Sequence, residues 1–295
     1  MHDGEWLAQR FEAHRTHLRA VAYRMLGSLS EADDVVQDAW LRLARSDSRG
    51  VENLRAWLTT VVARLCLDAL RSRRARREDP MRVHLPEPIV SSPDGVVDPE
   101  QQALLADSVG LAMLVVLESL TPPERLAFVL HDVFAMPFDV IAPIVERTPT
   151  AARQLASRAR RKVQGSAITS DADLPRQREV VDAFLAASRA GDFDALLAIL
   201  DPDVVVRADF GRLRVGVTGE VRGARAVAAQ ALLFRQLAPS ARRAIVNGGA
   251  GLVVFSADRP FAVLGFTVRQ GKVVAIEILG DPERLRTLDL SVLDV

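Results

Sequence analysis

Cysteine is almost absent from this chain: Cys66 is the only one in 295 residues. No disulfide can close within it, and a cysteine-built metal framework is excluded as well. Lysine is nearly as scarce. Of 38 basic residues only Lys162 and Lys272 are lysines. Histidine numbers five, with none after His131, and the chain beyond residue 174 has no Cys, Tyr or Trp. General acid–base work there would fall to Asp209, Glu220, Glu277 or Lys272. Asp209 reads as a turn residue and Glu277 as a solvent-facing position on a strand. No His/Cys/Asp cluster has metal-ligand spacing, and His14 and His17 read as surface residues. No metal or other cofactor is expected. No apolar run is long enough to span a bilayer, and the start MHDGEWLAQRFEAH is unlike a secretory signal. A soluble cytoplasmic protein without a membrane partner is the expectation.

A net charge of one sign is also missing: 38 basic residues balance 38 acidic ones. That argues at first against nucleic acid, unless the charge is segregated along the chain. It is. Between Arg64 and Arg77 six arginines stand against one acid, Asp68. Between Arg153 and Lys162 there are five cations and no acid. One such stripe would read as a solvated helix face. Two of them, one ending a long helix and one on the second helix of a tight helix–turn–helix, point to nucleic acid.

Helical periodicity dominates residues 5–77. Ser30 with Asp33 resembles a cap that opens a helix through Leu43, and Leu54 starts a long helix to about Arg74. Residues 78–100 hold five prolines and read as a linker, extended rather than packed. Helix resumes over 101–164. Thr121-Pro122-Pro123-Glu124 is a strong helix start. A short helix at Phe138–Val145, a turn at Glu146-Arg147 and a helix from Pro149 follow. In that last helix Ala152, Leu155, Ala156, Ala159 and Val163 face inward. Thr150, Arg153, Gln154, Ser157, Arg158 and Arg161 face outward. Arg153, Gln154 and Ser157 are candidates for base contact; Arg158, Arg161 and Lys162 for phosphate contact.

After a second linker, residues 175–290 change texture. Two helices are expected, then strands at Val204–Ala208, Leu213–Val217, Arg243–Val246, Leu252–Phe255, Phe261–Val268 and Val273–Leu279. A helix at Ala224–Leu237 interrupts them, and Gln270-Gly271 reads as a hairpin turn. The fold class is multi-domain: two all-α modules followed by an α+β cone.

Three segments resemble, in order, the modules of extracytoplasmic-function sigma factors. AYRMLGSLSEADDVVQDAWLRL (22–43) is similar to that family's first helices, and RAWLTTVVARLCLDALRSRRARR (55–77) to its promoter-melting helix. The segment 120–163 resembles its −35-reading helix–turn–helix. The resemblance implies that Asp33, Asp34, Gln37 and Asp38 dock on the β′ subunit of core RNA polymerase, with further contact to β. It implies that Arg49, Asn53, Trp57, Arg64, Arg71, Arg73 and Arg74 serve the −10 element, and that residues 149–163 read the −35 element. Leu85-Pro86-Glu87-Pro88 is similar to a linker motif of the subgroup with a C-terminal SnoaL-like, NTF2-superfamily extension. Asp281-Pro282-Glu283-Arg284-Leu285 looks like that subgroup's terminal motif. Asp209, Asp281, Pro282 and Leu285 are thus candidate contacts of the extension with the rest of the chain. A helix–turn–helix regulator that acts without polymerase stays open at this point. So does an enzyme built on the cone, although its residue types count against it.

Overall fold

The computed structural model describes residues 2–46, 53–76, 84–93, 110–165, 170–171, 173–211 and 218–293. Arg49, the start of the resumed helix at 101–109, and the strand expected at Leu213–Val217 lie outside the described residues. The chain forms two compact units.

The first unit is helical. It begins with α1 (His2–Leu26), α2 (Leu29–Arg45) and α3 (Leu54–Arg76). Gly27 adopts φ +71° and ends α1, a conformation that costs glycine little. The cap of α2 is Ser28, not Ser30: its hydroxyl accepts the Glu31 N–H at 3.3 Å. The Ser-x-x-Glu spacing thus begins two residues before the expected site. Helix α2 buries Ala32, Val35, Val36, Ala39 and Leu43 at helical spacing.

Helix α4 spans Leu111–Glu118, its residues through Val115 belonging to the second unit, and α5 (Pro122–Phe128) of the first unit continues into a π-helical turn, Val129–Val133. The expected start at Thr121 is present. The Glu124 carboxylate accepts the Thr121 N–H at 3.1 Å and its hydroxyl at 2.9 Å. Then come α6 (Phe138–Ile144) and α7 (Pro149–Gly165).

The second unit is an α+β cone. Helices α8 (Leu174–Ala190) and α9 (Phe193–Ile199) precede β2 (Leu200–Asp209) and β3 (Gly219–Arg222). Helix α10 (Ala224–Leu233) leads to β4 (Ala241–Val246), β5 (Gly249–Ser256), β6 (Arg259–Arg269) and β7 (Lys272–Leu279). A short α11 (Pro282–Leu285) follows. With β1 (Val90–Ser91) at one edge, the sheet has the order β1-β4-β5-β6-β7-β2-β3, parallel at β2–β7 and antiparallel elsewhere. Gln270-Gly271 makes the expected tight turn, with φ of +53° and +73° joining β6 to β7.

Both faces of this sheet are covered. Phe184, Leu196, Val206, Leu252 and Ile276 belong to the core on the helix side. Val90, Leu111, Val246, Val263 and Leu285 belong to the core on the other. Strand β1 (Val90–Ser91) comes from the proline-rich segment. That segment is extended, as expected, but it is not unpacked: Leu85, Pro86, Pro88, Ile89 and Val90 are buried.

Candidate functional site

Helix α7 carries a small dry face and a polar wet one. Ala152, Ala156 and Ala159 are fully buried. Thr150, Arg153, Gln154, Ser157, Arg158 and Arg161 are exposed. Alanine at the buried positions lets α7 lie close on α5 and α6, which lifts its donors clear of the surface. The Arg153 guanidinium stacks over the Phe138 ring, 5.3 Å from its centroid. Two expected phosphate ligands have partners inside the module. Arg158 lies 3.4 Å and Lys162 3.0 Å from the Glu124 carboxylate. Burial pushes that carboxyl up, but bonds from Lys162 and Thr121 outweigh burial and hold it below its ordinary value.

On α2, Asp34, Gln37 and Asp38 are exposed on the face opposite the buried stripe. Asp33 differs. Its carboxylate takes a two-pronged bond from Arg19 of α1, at 2.7 and 3.0 Å. It ties two helices together and is not a free part of the acidic face.

On α3, Arg64, Arg71 and Arg74 are exposed and Trp57 is half-buried. Arg71 lies 3.8 Å from Asp68. Asn53 caps the helix, accepting the Ala56 N–H at 3.0 Å. Arg73 departs from expectation as a DNA-facing residue. It donates to the Leu26 carbonyl at 2.9 Å, pairs with Glu31 and is only 20% exposed. Its place one turn before the arginine-rich end of α3 turns it back toward the end of α1.

His17 is not a surface residue either. It sits half-buried with Thr59 Oγ1 3.2 Å from Nε2, Arg55 3.2 Å from Nδ1 and the Phe134 ring edge-on. Burial, then the charge of Arg55, lowers its pKa to about 4.

The linker motif and the terminal motif meet in the second unit. Asp209 ends β2 and is 4% exposed, not in an open turn. Its Oδ2 accepts the Leu85 N–H at 3.1 Å and Arg284 Nη1 at 2.8 Å. Arg284 also donates to the Leu85 carbonyl. Asp281 caps α11 through the Glu283 N–H at 2.8 Å, with Pro282 in the first turn and Leu285 buried. Asp281 and Pro282 thus start the short helix that carries Arg284. Gly211 leaves the space they need, since a Cβ there would lie 2.3 Å from Asp281. Further along, Asn247 Oδ1 accepts the Ile89 N–H at 3.0 Å and the Asn247 N–H donates to the Ile89 carbonyl at 2.9 Å. Leu85 is fully buried and Glu87 half-buried.

Sequence reasoning missed Arg284 and Asn247. Arg284 lies within the quoted terminal motif. Asn247-Gly248 is a hairpin signal, at φ +48° and +78°, that could have marked the β4–β5 turn. It also missed Arg125. This residue is 2% exposed, donates to the Arg24 carbonyl at 3.2 and 3.1 Å, and pairs with Glu118 at 2.7 Å. The helix–turn–helix is thereby packed on the first helices within one unit. Among the described residues no cluster of His, Cys, Asp and Glu could hold a metal, and no helix is long and apolar enough to cross a membrane.

Comparison with known proteins assigns both helical segments. Residues 10–76 match the model of sigma-70 region 2, and residues 111–163 that of sigma-70 region 4. The chain is 42% identical over 288 residues to the ECF RNA polymerase sigma factor SigJ of Mycobacterium tuberculosis, covering 93% of this chain and 91% of that one. It is 37% identical over 282 residues to the probable ECF RNA polymerase sigma factor SigI of the same species, covering 94% of each. The crystal structure of the Mycobacterium tuberculosis SigJ superposes with a TM-score of 0.78 at 38% identity, over 96% of this chain and 99% of that one.

Proposed function

Because the chain belongs to the extracytoplasmic-function (ECF) family of RNA polymerase sigma factors, we propose that it binds core RNA polymerase and directs promoter-specific initiation of transcription. The observation that carries this reading is α7: a helix with a buried alanine face and an exposed row of Arg153, Gln154, Ser157 and Arg161. Such a helix fits the major groove, with its first turns nearest the bases. In this reading Arg153, Gln154 and Ser157 read the −35 element, and Thr150 and Arg161 hold phosphates. Asn53, Trp57, Arg64, Arg71 and Arg74 serve the −10 element. Asp34, Gln37 and Asp38 dock on the polymerase β′ subunit, with β as a further contact.

The test is co-purification of the full chain with core polymerase, followed by transcription from promoters mapped with it. The double variant Asp34→Arg, Asp38→Arg should lose core binding by about tenfold or more, because like charge replaces a complementary surface. Binding of the double variant as tight as the parent's would remove α2 from the docking surface. Failure of the parent itself to bind core would overturn the reading.

The second unit acts in cis through the linker. Asp209, Arg284 and Asn247 hold residues 85–91 on the sheet, and this supports a role in setting how freely the promoter-reading segments are disposed. Arg284→Leu should change transcript yield from a cognate promoter while leaving core binding alone. An unchanged yield would leave the C-terminal unit without a regulatory part.

A further inference from the structure

The cations of α7 are held in different ways. Arg158 and Lys162 share the Glu124 carboxylate, and Arg160 pairs with Asp132 at 2.6 Å. A carboxylate orients a cation, but it also takes up its charge and some of its donors. Arg161 is exposed and has no partner among the described residues, so no side chain orients it.

Arg153 differs from both. It is exposed in the second turn of α7, near the end of the helix that a major groove receives. Its guanidinium carbon lies 5.3 Å from the centroid of the Phe138 ring, and it has no hydrogen bond or ion pair among the described residues. A ring face attracts a cation without neutralising it. The five N–H donors lie in the guanidinium plane and stay available at its edge. Arg153 is thus oriented and still fully charged.

The ring is itself fixed. Phe138 is the first residue of α6, directly after Pro137. The His131 imidazole stacks on it, with centroids 3.9 Å apart and planes inclined by 30°. His131 Nδ1 lies 2.9 Å from the Met136 carbonyl oxygen. A carbonyl only accepts, so Nδ1 carries a proton, and this bond holds the imidazole in place. The chain between these residues is irregular: Val129–Val133 is a π-helical turn, and Ala135 adopts φ +53°. That backbone is uncommon outside glycine, and π-turns gather at functional sites.

An arginine in the major groove reads guanine by two bonds, to O6 and N7. This requires the guanidinium at one tilt, which a freely turning side chain must be ordered to reach. We propose that Phe138 is a positioning residue for sequence reading: its ring, backed by His131, sets Arg153 to bond one guanine of the −35 element in this two-pronged way. Phe138 itself needs no contact with DNA. The proposal rests on the reading of α7 as the promoter-reading helix.

The holoenzyme, full chain with core polymerase, tests this by titration of promoter duplexes in which each −35 base pair is changed in turn. Changing one G·C pair should weaken binding of the parent about tenfold, and Arg153→Ala should abolish the preference at that pair alone. Phe138→Leu should cut the same preference to below about threefold and leave the other pairs as in the parent. Phe138→Tyr, which keeps the ring, should retain it. A Phe138→Leu profile like the parent's, a loss spread over every pair, or an equal loss in Phe138→Tyr would each overturn the proposal while the role of Arg153 stands. If Arg153→Ala moved no single pair, Arg153 would not be a base contact, and the proposal would fall with that reading. A second measurement needs no variant. NMR relaxation of the arginine Nε–H groups in the parent should show Arg153 more ordered than Arg161; equal mobility would overturn the proposal.

Discussion

Glu277 shows what a single residue's surroundings do to its chemistry. It is 1% exposed on β7, with Oε1 3.2 Å from Arg207. Its neighbour across the sheet is Gly265, where a Cβ would come 3.0 Å from Leu111. Burial raises its pKa to about 7, against the opposing pull of Arg207. The unfolded chain releases that proton near the ordinary 4.5. Between those values the folded state binds more protons than the unfolded one. The contribution of Glu277 to stability is therefore full below about pH 4.5 and is lost as pH rises through about 7. At roughly 1.4 kcal/mol per pH unit, the window spans about 3 kcal/mol. Glu277→Gln should flatten this dependence, gaining on the parent at pH 8 but not at pH 5. Urea midpoints at the two pH values check it. Parallel curves for parent and variant would mean that Glu277 is ionised throughout. The expectation of a solvent-facing Glu277 fails because strand alternation cannot tell a wet face from a face that another segment covers.

At the scale of elements, the helices of the first unit were the most legible. Thr121 and Glu124 mark a helix start through local chemistry alone, and the alanine spacing of α7 marks its buried face. Short elements escaped. Strand β3 has four residues and begins at Gly219, and β1 has two within a proline-rich run; neither is long enough to show a period. Equally invisible was the pairing of Glu124 with Arg158 and Lys162, because those residues are far apart in sequence. The exposed row on α7 carries its own prediction. Arg153→Ala should cost about 1–3 kcal/mol at one base pair and relax preference there, whereas Arg161→Ala should weaken all sequences alike and lower the salt slope by about 1. Anisotropy titrations of duplexes with single-base changes, at several salt concentrations, distinguish them. A uniform loss for Arg153→Ala would reassign that residue to the phosphates.

For the whole molecule, the point of interest is where the linker goes. Counted as free chain, its length suits a reach of about 70 Å between two promoter elements, at about 3.3–3.6 Å per extended residue. In the structure, residues 85–91 lie on the second unit instead, bonded by Asp209, Asn247 and Arg284. These are bonds across 124 to 199 residues of sequence. Hydrogen bonds to charged groups contribute about 1.5–3 kcal/mol. Arg284→Leu should accordingly speed exchange of the Leu85 amide by roughly 10- to 100-fold, with core strands β5 and β6 unaffected. Exchange at Leu85 as slow as in the parent would show that burial of Leu85 and Ile89 suffices to hold the linker.

The division of labour between sequence and fold follows from range. Helix periodicity, caps and segregated charge act within a few residues, so the two helical modules, their order and the exposed polar row on α7 were already present in the chain as written. The linker's partner, the fate of Asp33 and Arg73, the proton on Glu277 and the ring that meets Arg153 were not. Each depends on which distant segment arrives to cover, pair or leave open a given side chain, and only the tertiary fold decides that.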